Sequence, residues 1–129
     1  MRVKTPTGEI TIQTLAMPAD TNPNGDIFGG WLVSQMDLAA SVLAKQTSHG
    51  RVATVAINSM IFHQPVHVGD IVSCYASLAK IGNTSMTIDV EVWTTSPKSH
   101  ERVHVTEGRF IFVAIDDCGK PRKVTTEQS

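Results

Sequence analysis

One segment of the sequence has the periodicity of an amphipathic helix, and this segment limits the folds open to the chain. From about Gly30 to Gln46, apolar residues recur at steps of three and four. They are Leu32, Met36, Ala39, Ala40 and Leu43. Gly50 follows the segment and is expected to end the helix. Because an apolar stripe needs a surface to pack against, the rest of the chain must supply that surface.

The rest of the chain has the composition and turn signals of β-strands. One predicted strand, Glu9 to Leu15, precedes the helix. The later predicted strands, joined by links of hairpin length, are Val52 to Phe62, Ile71 to Ile81, Ser85 to Val92 and Arg102 to Ile115. Gly108 is a candidate β-bulge in the last of them. This order predicts an α+β fold, with one helix on one face of a mostly antiparallel sheet.

Length and charge narrow the class of protein. A chain of 129 residues with a formal net charge of -1 suits one domain, and it has no basic field to recruit nucleic acid or an anionic membrane. Residues 1–8 lack the apolar core of a signal sequence, and no apolar run is long enough to cross a bilayer. Cys74 and Cys118 suit free thiols in a reducing compartment. We therefore expect a cytoplasmic protein, with a frayed tail from about Lys123.

Asp37 is the one ionisable side chain between Trp31 and Ala44, and it lies beside the apolar stripe. A carboxylate in so apolar a segment is either costly or functional. A lone helical aspartate also commonly faces solvent, so both interpretations stay open at this point.

A loop rich in turn residues leads through Gly29 and Gly30 directly into the helix. Glycines leave the NH groups of the first helical turn unshielded, where the helix dipole favours an anion or a developing oxyanion. A tight helix entry also requires glycine for steric reasons alone. Asn22 in the loop is likewise compatible with a purely local turn role.

Three other patterns were weighed for chemistry. The turn from Gly82 to Ser85 could bind phosphate through NH and hydroxyl groups, although turn formation explains it equally well. Histidines four residues apart, His63 with His67 and His100 with His104, do not converge on strands and turns as they do on a helix. No metal site, catalytic cysteine, P-loop or dinucleotide-binding motif is therefore predicted.

The spacing Asn-x-x-Gly-x-x-x-Gly-Gly from Asn22, with Asp37 seven residues after the last glycine, resembles the hotdog-fold acyl-CoA thioesterases. The sequence is most similar to the YciA-type bacterial enzymes, over roughly Gly8 to Arg122. The segments that carry the similarity include LAMPADTN, GDIFGGWL, PVHVGD, EVW, VAID and GKPR.

This resemblance implies a single hotdog domain over residues 1–129, in which a curved antiparallel sheet of about five strands wraps one long central helix. It implies hydrolysis of short- to medium-chain acyl-CoA to CoA and a carboxylic acid, without a metal or redox cofactor. It also implies a homodimer as the minimal unit, assembled into a trimer of dimers (a hexamer) or another higher oligomer. No nucleic-acid or membrane partner is expected.

The resemblance also assigns roles to residues of this chain. Asp37 would be the catalytic carboxylate, as general base or as nucleophile, with Asn22 as its partner and the Gly30 NH as oxyanion donor. The residues expected to contact the substrate are Gly29, Gly82, Thr84, Ser85 and Arg109. The sequence departs from the family pattern at two places. His63 and Gln64 stand where an arginine commonly precedes Pro-Val, and Arg109 and Ile111 in the last strand do not match the usual placement of a basic residue.

Two other functions remain open, and geometry adds one constraint. The chain could be a CoA-binding sensor without turnover, although such a sensor would need neither Asn22 nor Asp37. It could also be a hotdog dehydratase of hydroxyacyl thioesters, but no matching pair of histidine and carboxylate is present.

Gly30 and Asp37 are two helical turns apart, ~10 Å along the axis, so one thioester carbon cannot contact both. We therefore predict an active site shared between two subunits.

Overall fold

The structure is a computed structural model, and it describes residues 5–124. Its elements in chain order are β1 (Glu9–Leu15), a short 3-10 turn (Pro18–Asp20), α1 (Gly29–Ser48), β2 (Val52–Phe62), β3 (Ile71–Ile81), β4 (Ser85–Thr95) and β5 (Arg102–Ala114). The predicted order of one strand, one long helix and four strands is confirmed. Within residues 5–124, no helix is long and apolar enough to cross a membrane.

All five strands form one antiparallel sheet in the order β1-β3-β4-β5-β2. The hairpin links predicted for β3 to β4 and for β4 to β5 are present. The link from β2 to β3 is no hairpin, because these strands are not neighbours. Residues 63–70 instead cross the sheet, and β2 is left as an edge strand that pairs only with β5.

Helix α1 packs along one face of this sheet and contacts all five strands. The residues on its buried side are Leu32, Met36, Ala39, Ala40, Ala44 and Ser48. Three alanines and a serine on that side allow the helix to lie close to the strands. The sheet packs large side chains against this side of the helix, and Phe110, Phe112 and Met86 among them are fully buried. The predicted stripe is thus the buried face, with Leu43 only half-buried at its margin.

The helix ends at Ser48, and the residue that stops it is His49 rather than the predicted Gly50. His49 is the C-cap in the left-handed conformation, with φ 58°, and its NH donates to the Lys45 carbonyl at 2.8 Å. A Cβ on Gly50 would lie 2.6 Å from Nη2 of Arg122. Gly50 therefore makes room for a guanidinium group and does not stop the helix.

The predicted bulge at Gly108 is also wrong, because Gly108 pairs with Val90 in regular register. The register shifts of the β2–β5 pair lie on β2, between Thr54 and Ala56 and between Asn58 and Ile61. Gly108 lacks a side chain for a packing reason. A Cβ there would lie 2.8 Å from the terminal methyl group of Met60 and 3.4 Å from that of Met36.

The start of the predicted frayed tail is ordered. The Val124 NH donates to the Asn83 carbonyl at 2.9 Å, and the Val124 side chain packs against the core. Val124 is therefore held against the core within the predicted tail, and the remainder of that tail, 125–129, lies outside the described residues.

Candidate active site

The N-terminus of α1 opens without a side-chain cap. Phe28 occupies the N-cap position and makes no side-chain capping bond, and the first turn holds no acidic residue. The Trp31 NH donates to the Phe28 carbonyl at 3.1 Å. The NH groups of Gly29 and Gly30 belong to the first turn, where a helix has no carbonyl of its own to offer. They form the positive end of the helix dipole and can donate to a ligand.

An open cleft of about 370 Å³ lies beside this helix end. Its lining residues are Ile27, Gly29, Leu32, Phe62, His63, Gln64, Pro65 and Val66. A Cβ on Gly29 would stand 3.4 Å from the Phe62 ring, so glycine keeps this wall in tight contact. Mostly apolar walls next to backbone NH donors suit a carbonyl group carried on an apolar chain.

Asn22 organises the loop that enters the helix. Its side-chain oxygen accepts hydrogen bonds from the NH of Asn24 at 2.9 Å and of Asp26 at 3.1 Å. Its backbone carbonyl accepts from Gly25, whose φ of 87° suits glycine. The local turn role weighed from the sequence is thus real for the side-chain oxygen. The side-chain nitrogen is the end of the amide that can still donate to a ligand.

Asp37 faces the edge strand of the sheet and is half-buried. The Thr54 hydroxyl on β2 donates a 2.6 Å hydrogen bond to Oδ1 of Asp37. Among residues 5–124, Thr54 is the hydrogen-bond donor to this carboxylate. Its other oxygen, Oδ2, can accept a hydrogen bond from water or substrate. Sequence reasoning missed Thr54. The available signal was one hydroxyl side chain in the apolar run that opens β2.

The turn predicted to contact CoA lies far from the N-terminus of α1 in the same chain. Phe62, which packs on Gly29, pairs with Thr106 of β5, whereas Ser85 pairs with Val113. Seven residues of extended strand separate these levels of the sheet, ~23 Å. A ligand that touched both places would have to span that distance, or the turn must come from a neighbouring chain.

This turn is held firmly by its backbone. The Gly82 NH donates to the Ser85 carbonyl at 2.8 Å, and the Thr84 carbonyl accepts from Ala114 at 2.9 Å. A Cβ on Gly82 would lie 2.7 Å from the Ser85 hydroxyl oxygen. Gly82, Thr84 and Ser85 therefore form one compact unit at the β3–β4 corner.

Arg109 is separated from the other predicted site residues. It lies on the sheet face away from α1, since its register partner Asp89 alternates with the buried Ile88 and Val90. Its guanidinium donates to both oxygens of Asp89, at 2.7 and 3.1 Å. The hydrogen bond and the charge of Asp89 raise the pKa of Arg109 above its usual value. Arg109 is thus a paired surface cation.

The positions of Cys74 and of the histidines do not suit the two kinds of chemistry weighed for them. These were catalysis by a thiolate and metal binding by histidines four residues apart. Burial raises the pKa of the Cys74 thiol to about 12, which keeps it protonated. Among the described residues, two of the histidines weighed from the sequence contact other groups. His67 lies 3.5 Å from a carboxylate oxygen of Asp26. His63 instead meets His104, with 5.0 Å between ring centroids.

Comparison with known proteins identifies the family that the chain resembles. The family profile described as Thioesterase superfamily matches residues 24–99. The acyl-CoA thioester hydrolase YciA of Salmonella typhimurium is 53% identical over 126 residues, which are 95% of each chain.

Two solved structures extend the similarity to three dimensions. The hexameric thioesterase from Yersinia pestis has a TM-score of 0.91 and 52% identity, covering 95% of this chain and 100% of that one. A hexameric hotdog-fold thioesterase of Campylobacter jejuni has a TM-score of 0.87 and 38% identity, covering 92% and 91%. The resemblance and the hotdog fold expected from the sequence are both confirmed.

Proposed function

This chain belongs to the thioesterase superfamily, and we propose that it hydrolyses short- to medium-chain acyl-CoA thioesters to CoA and a carboxylic acid. The observation that carries the proposal is the uncapped N-terminus of α1, which opens into an apolar cleft. The relatives at about half identity that carry the name acyl-CoA thioester hydrolase support the same activity.

The thioester carbonyl binds at the N-terminus of α1, with its oxygen near the Gly30 NH. Negative charge grows on that oxygen during attack, and the helix dipole and NH donors stabilise it where water is excluded. A donor in this role contributes about 3 kcal/mol to lowering the barrier. Gly29 and the apolar walls of the cleft position the parts of the substrate on either side of the carbonyl.

Asp37 drives the attack. As general base it takes a proton from water, whose oxygen bonds to the carbonyl carbon, and the carbon–sulfur bond then breaks to release the CoA thiolate. As nucleophile it bonds to the carbonyl carbon itself, the thiolate leaves, and water hydrolyses the resulting anhydride. Thr54 holds the carboxylate orientation for either route, and the Asn22 amide nitrogen donates to the water or the carbonyl. Because a thiolate is a good leaving group, neither route requires a metal ion or a redox cofactor.

Two subunits complete each site in this proposal. Edge strand β2 exposes Val55, Ile57, Ile61 and Phe62, all at least 43% accessible. An edge strand with apolar side chains and unpaired backbone groups favours pairing with a second copy. Antiparallel α1 helices across such a two-fold axis would bring Asp37 of one chain to Gly30 and Asn22 of the other.

The same arrangement gives a role to the β3–β4 corner. With a neighbouring chain present, Gly82, Thr84 and Ser85 can contact the CoA moiety of a thioester bound at another chain's helix end. Arg109 would join them only through a further subunit, because its own chain turns it away from α1. We propose a homodimer as the minimal unit and a trimer of dimers as the full assembly, which the hexameric structural neighbours support. The two free cysteines support a cytoplasmic location.

A thiol-release assay over a series of acyl-CoA chain lengths tests the activity. We expect release of one thiol for each carboxylic acid formed, with the highest kcat/KM among short and medium chains. Binding of CoA with no thiol release from any acyl-CoA would favour the sensor instead. Reversible loss of water from hydroxyacyl-CoA without thiol release would favour the dehydratase.

A further inference from the structure

Two histidines and a glutamate converge on the sheet face away from α1. Nε2 of His63 lies 3.1 Å from Oε1 of Glu107, and Nε2 of His104 lies 3.6 Å from the same oxygen. The three ligand atoms all lie within 4.8 Å of one another. None of these side chains has a role in the proposed hydrolysis, although His63 also lines the cleft.

A β-bulge makes this convergence possible. Residues three apart on a regular strand point to opposite faces, so His104 and Glu107 should be separated by the sheet. The β4–β5 register shifts at this point, where Val92 pairs with Thr106 but Trp93 pairs with His104. The extra residue on β5 returns His104 to the face that carries Glu107. Bulges commonly re-aim side chains at functional sites.

The bulged residue, Val105, also anchors the third member of the cluster. Its carbonyl accepts hydrogen bonds from the backbone NH of His63 at 2.7 Å and of Gln64 at 3.3 Å. The His104 ring stacks on Trp93, with 5.1 Å between centroids and 23° between planes. Both imidazoles are therefore positioned by contacts other than those to Glu107.

Two carboxylates lie opposite each other beside the histidines. Glu107 stands directly opposite Glu91 in the β4–β5 register, on the same face. Like charges directly opposite each other destabilise a sheet. Glu91 accepts a hydrogen bond from Nε1 of Trp93 at 2.9 Å, which holds its charge at this place. A bound cation would offset the repulsion.

Two of the three separations between ligand atoms are close to those around a tetrahedral transition-metal ion. Nitrogen and oxygen ligands about 2.05 Å from zinc in a tetrahedron are ~3.3 Å apart. The two separations from Glu107, 3.1 and 3.6 Å, bracket this value. His63 and Glu107 are about two-fifths exposed, which leaves room for a water as fourth ligand. Imidazole and carboxylate are ligands that zinc accepts.

We propose that His63, His104 and Glu107 form a binding site for a divalent transition-metal ion of the zinc class. The ion joins the segment after β2, which forms a wall of the cleft, to the bulge of β5. It is a structural clamp on that wall, and it lies apart from the thioester carbonyl.

Zinc titration of the metal-stripped, full-length protein tests the site. Zn²⁺ at ~100-fold above its Kd should raise the melting midpoint by about 5–10 °C. Co²⁺ in its place should give visible absorption bands typical of a low-coordinate ion with histidine ligands. His63→Gln and Glu107→Gln each remove one ligand and should weaken Zn²⁺ binding at least ~10-fold.

His67→Gln is the matched control, because His67 lies four residues from His63 and outside the cluster. It should bind Zn²⁺ as wild type does. Circular dichroism and metal-free melting establish that each variant is folded. Anomalous scattering from wild-type crystals soaked in Zn²⁺ locates the ion without any variant. No Zn²⁺-dependent shift in wild type, undiminished binding in both ligand variants, or an ion located elsewhere overturns the proposal.

Discussion

The Thr54 hydroxyl donates a 2.6 Å hydrogen bond to the Asp37 carboxylate, and so joins the middle of α1 to the free edge of the sheet. This contact fixes the direction of the Asp37 side chain, while its catalytic role stays a proposal. Asp37 does not point into open solvent. It points toward the edge at which a second subunit is proposed to pair.

Asp37→Asn is expected to lower kcat by at least ~100-fold, the scale of a lost acid–base group. The substitution is nearly isosteric, so folding and CoA affinity should stay close to wild type. Steady-state thiol release and CoA inhibition measure the two effects separately. Turnover within a few fold of wild type would leave Asp37 with a structural role alone, through its hydrogen bond to Thr54.

Thr54→Val is expected to lower kcat by roughly 10-fold or more, because a hydrogen bond to a charged group contributes about 1.5–3 kcal/mol. Valine keeps the shape of threonine and removes only the hydroxyl. Thr54→Ser restores that hydroxyl and serves as the control. Equal kcat in Thr54→Val and Thr54→Ser would show that the hydroxyl does not position Asp37.

Gly82→Asp is expected to weaken inhibition by CoA, since it places a negative charge where phosphates approach. Any added side chain must displace the Ser85 hydroxyl, which a Cβ would meet at 2.7 Å. Gly82→Asn has the same shape without the charge and therefore isolates the electrostatic effect. Identical inhibition constants in the two variants, both well folded, would remove this turn from the CoA site.

Mixing two inactive variants tests the shared site. Equal amounts of Asn22→Ala and Asp37→Ala, unfolded and refolded together, should form roughly half heterodimers, each with one intact and one doubly damaged site. About 25% of wild-type activity should then return. The comparison is the mean activity of the two variants refolded separately. Mixed dimers confirmed by mass with activity no higher than that mean would contradict a shared site.

Removal of metal ions should leave hydrolysis intact. The groups proposed to act on the thioester are the Asp37 carboxylate, the Asn22 amide and a backbone NH, which need no metal ion. A chelator should therefore leave kcat unchanged, while a zinc-bound preparation should melt at a lower temperature after stripping. Loss of kcat that added Zn²⁺ restores would assign the ion a direct part in catalysis.

The parts of the fold that depend on local periodicity were predictable from the sequence. The stripe of α1 and the alternation of β4, in which Ile88 and Val90 are buried, follow from side-chain directions within one element. The C-terminus of α1 was misplaced because His49 adopts the left-handed conformation that usually belongs to glycine. Local preference predicted Gly50 as the stop, whereas Gly50 lies against the Arg122 guanidinium group.

The parts that depend on contacts between distant residues were not predictable. Thr54 meets Asp37 only because β2 lies at an edge, beside β5. His63 and His104 are 41 positions apart and meet only because β5 contains a bulge that no residue type marks. Asn22, Gly30 and Asp37 were found through the motif. The distance between Gly30 and Asp37 within one chain follows from the geometry of the helix.

Arg122 connects the end of α1 and the segment before β2 to the residue after β5 through its guanidinium group. It donates to the carbonyls of Ser48 at 3.1 Å, Arg51 at 3.3 Å and Ile115 at 2.9 Å. These contacts form only after Arg122 has been synthesised. Strand β2 likewise has no strand partner until β5 has been synthesised. In the nascent chain the apolar strand β2 therefore stays without a strand partner until β5 has been made. The native state forms as one late, cooperative event.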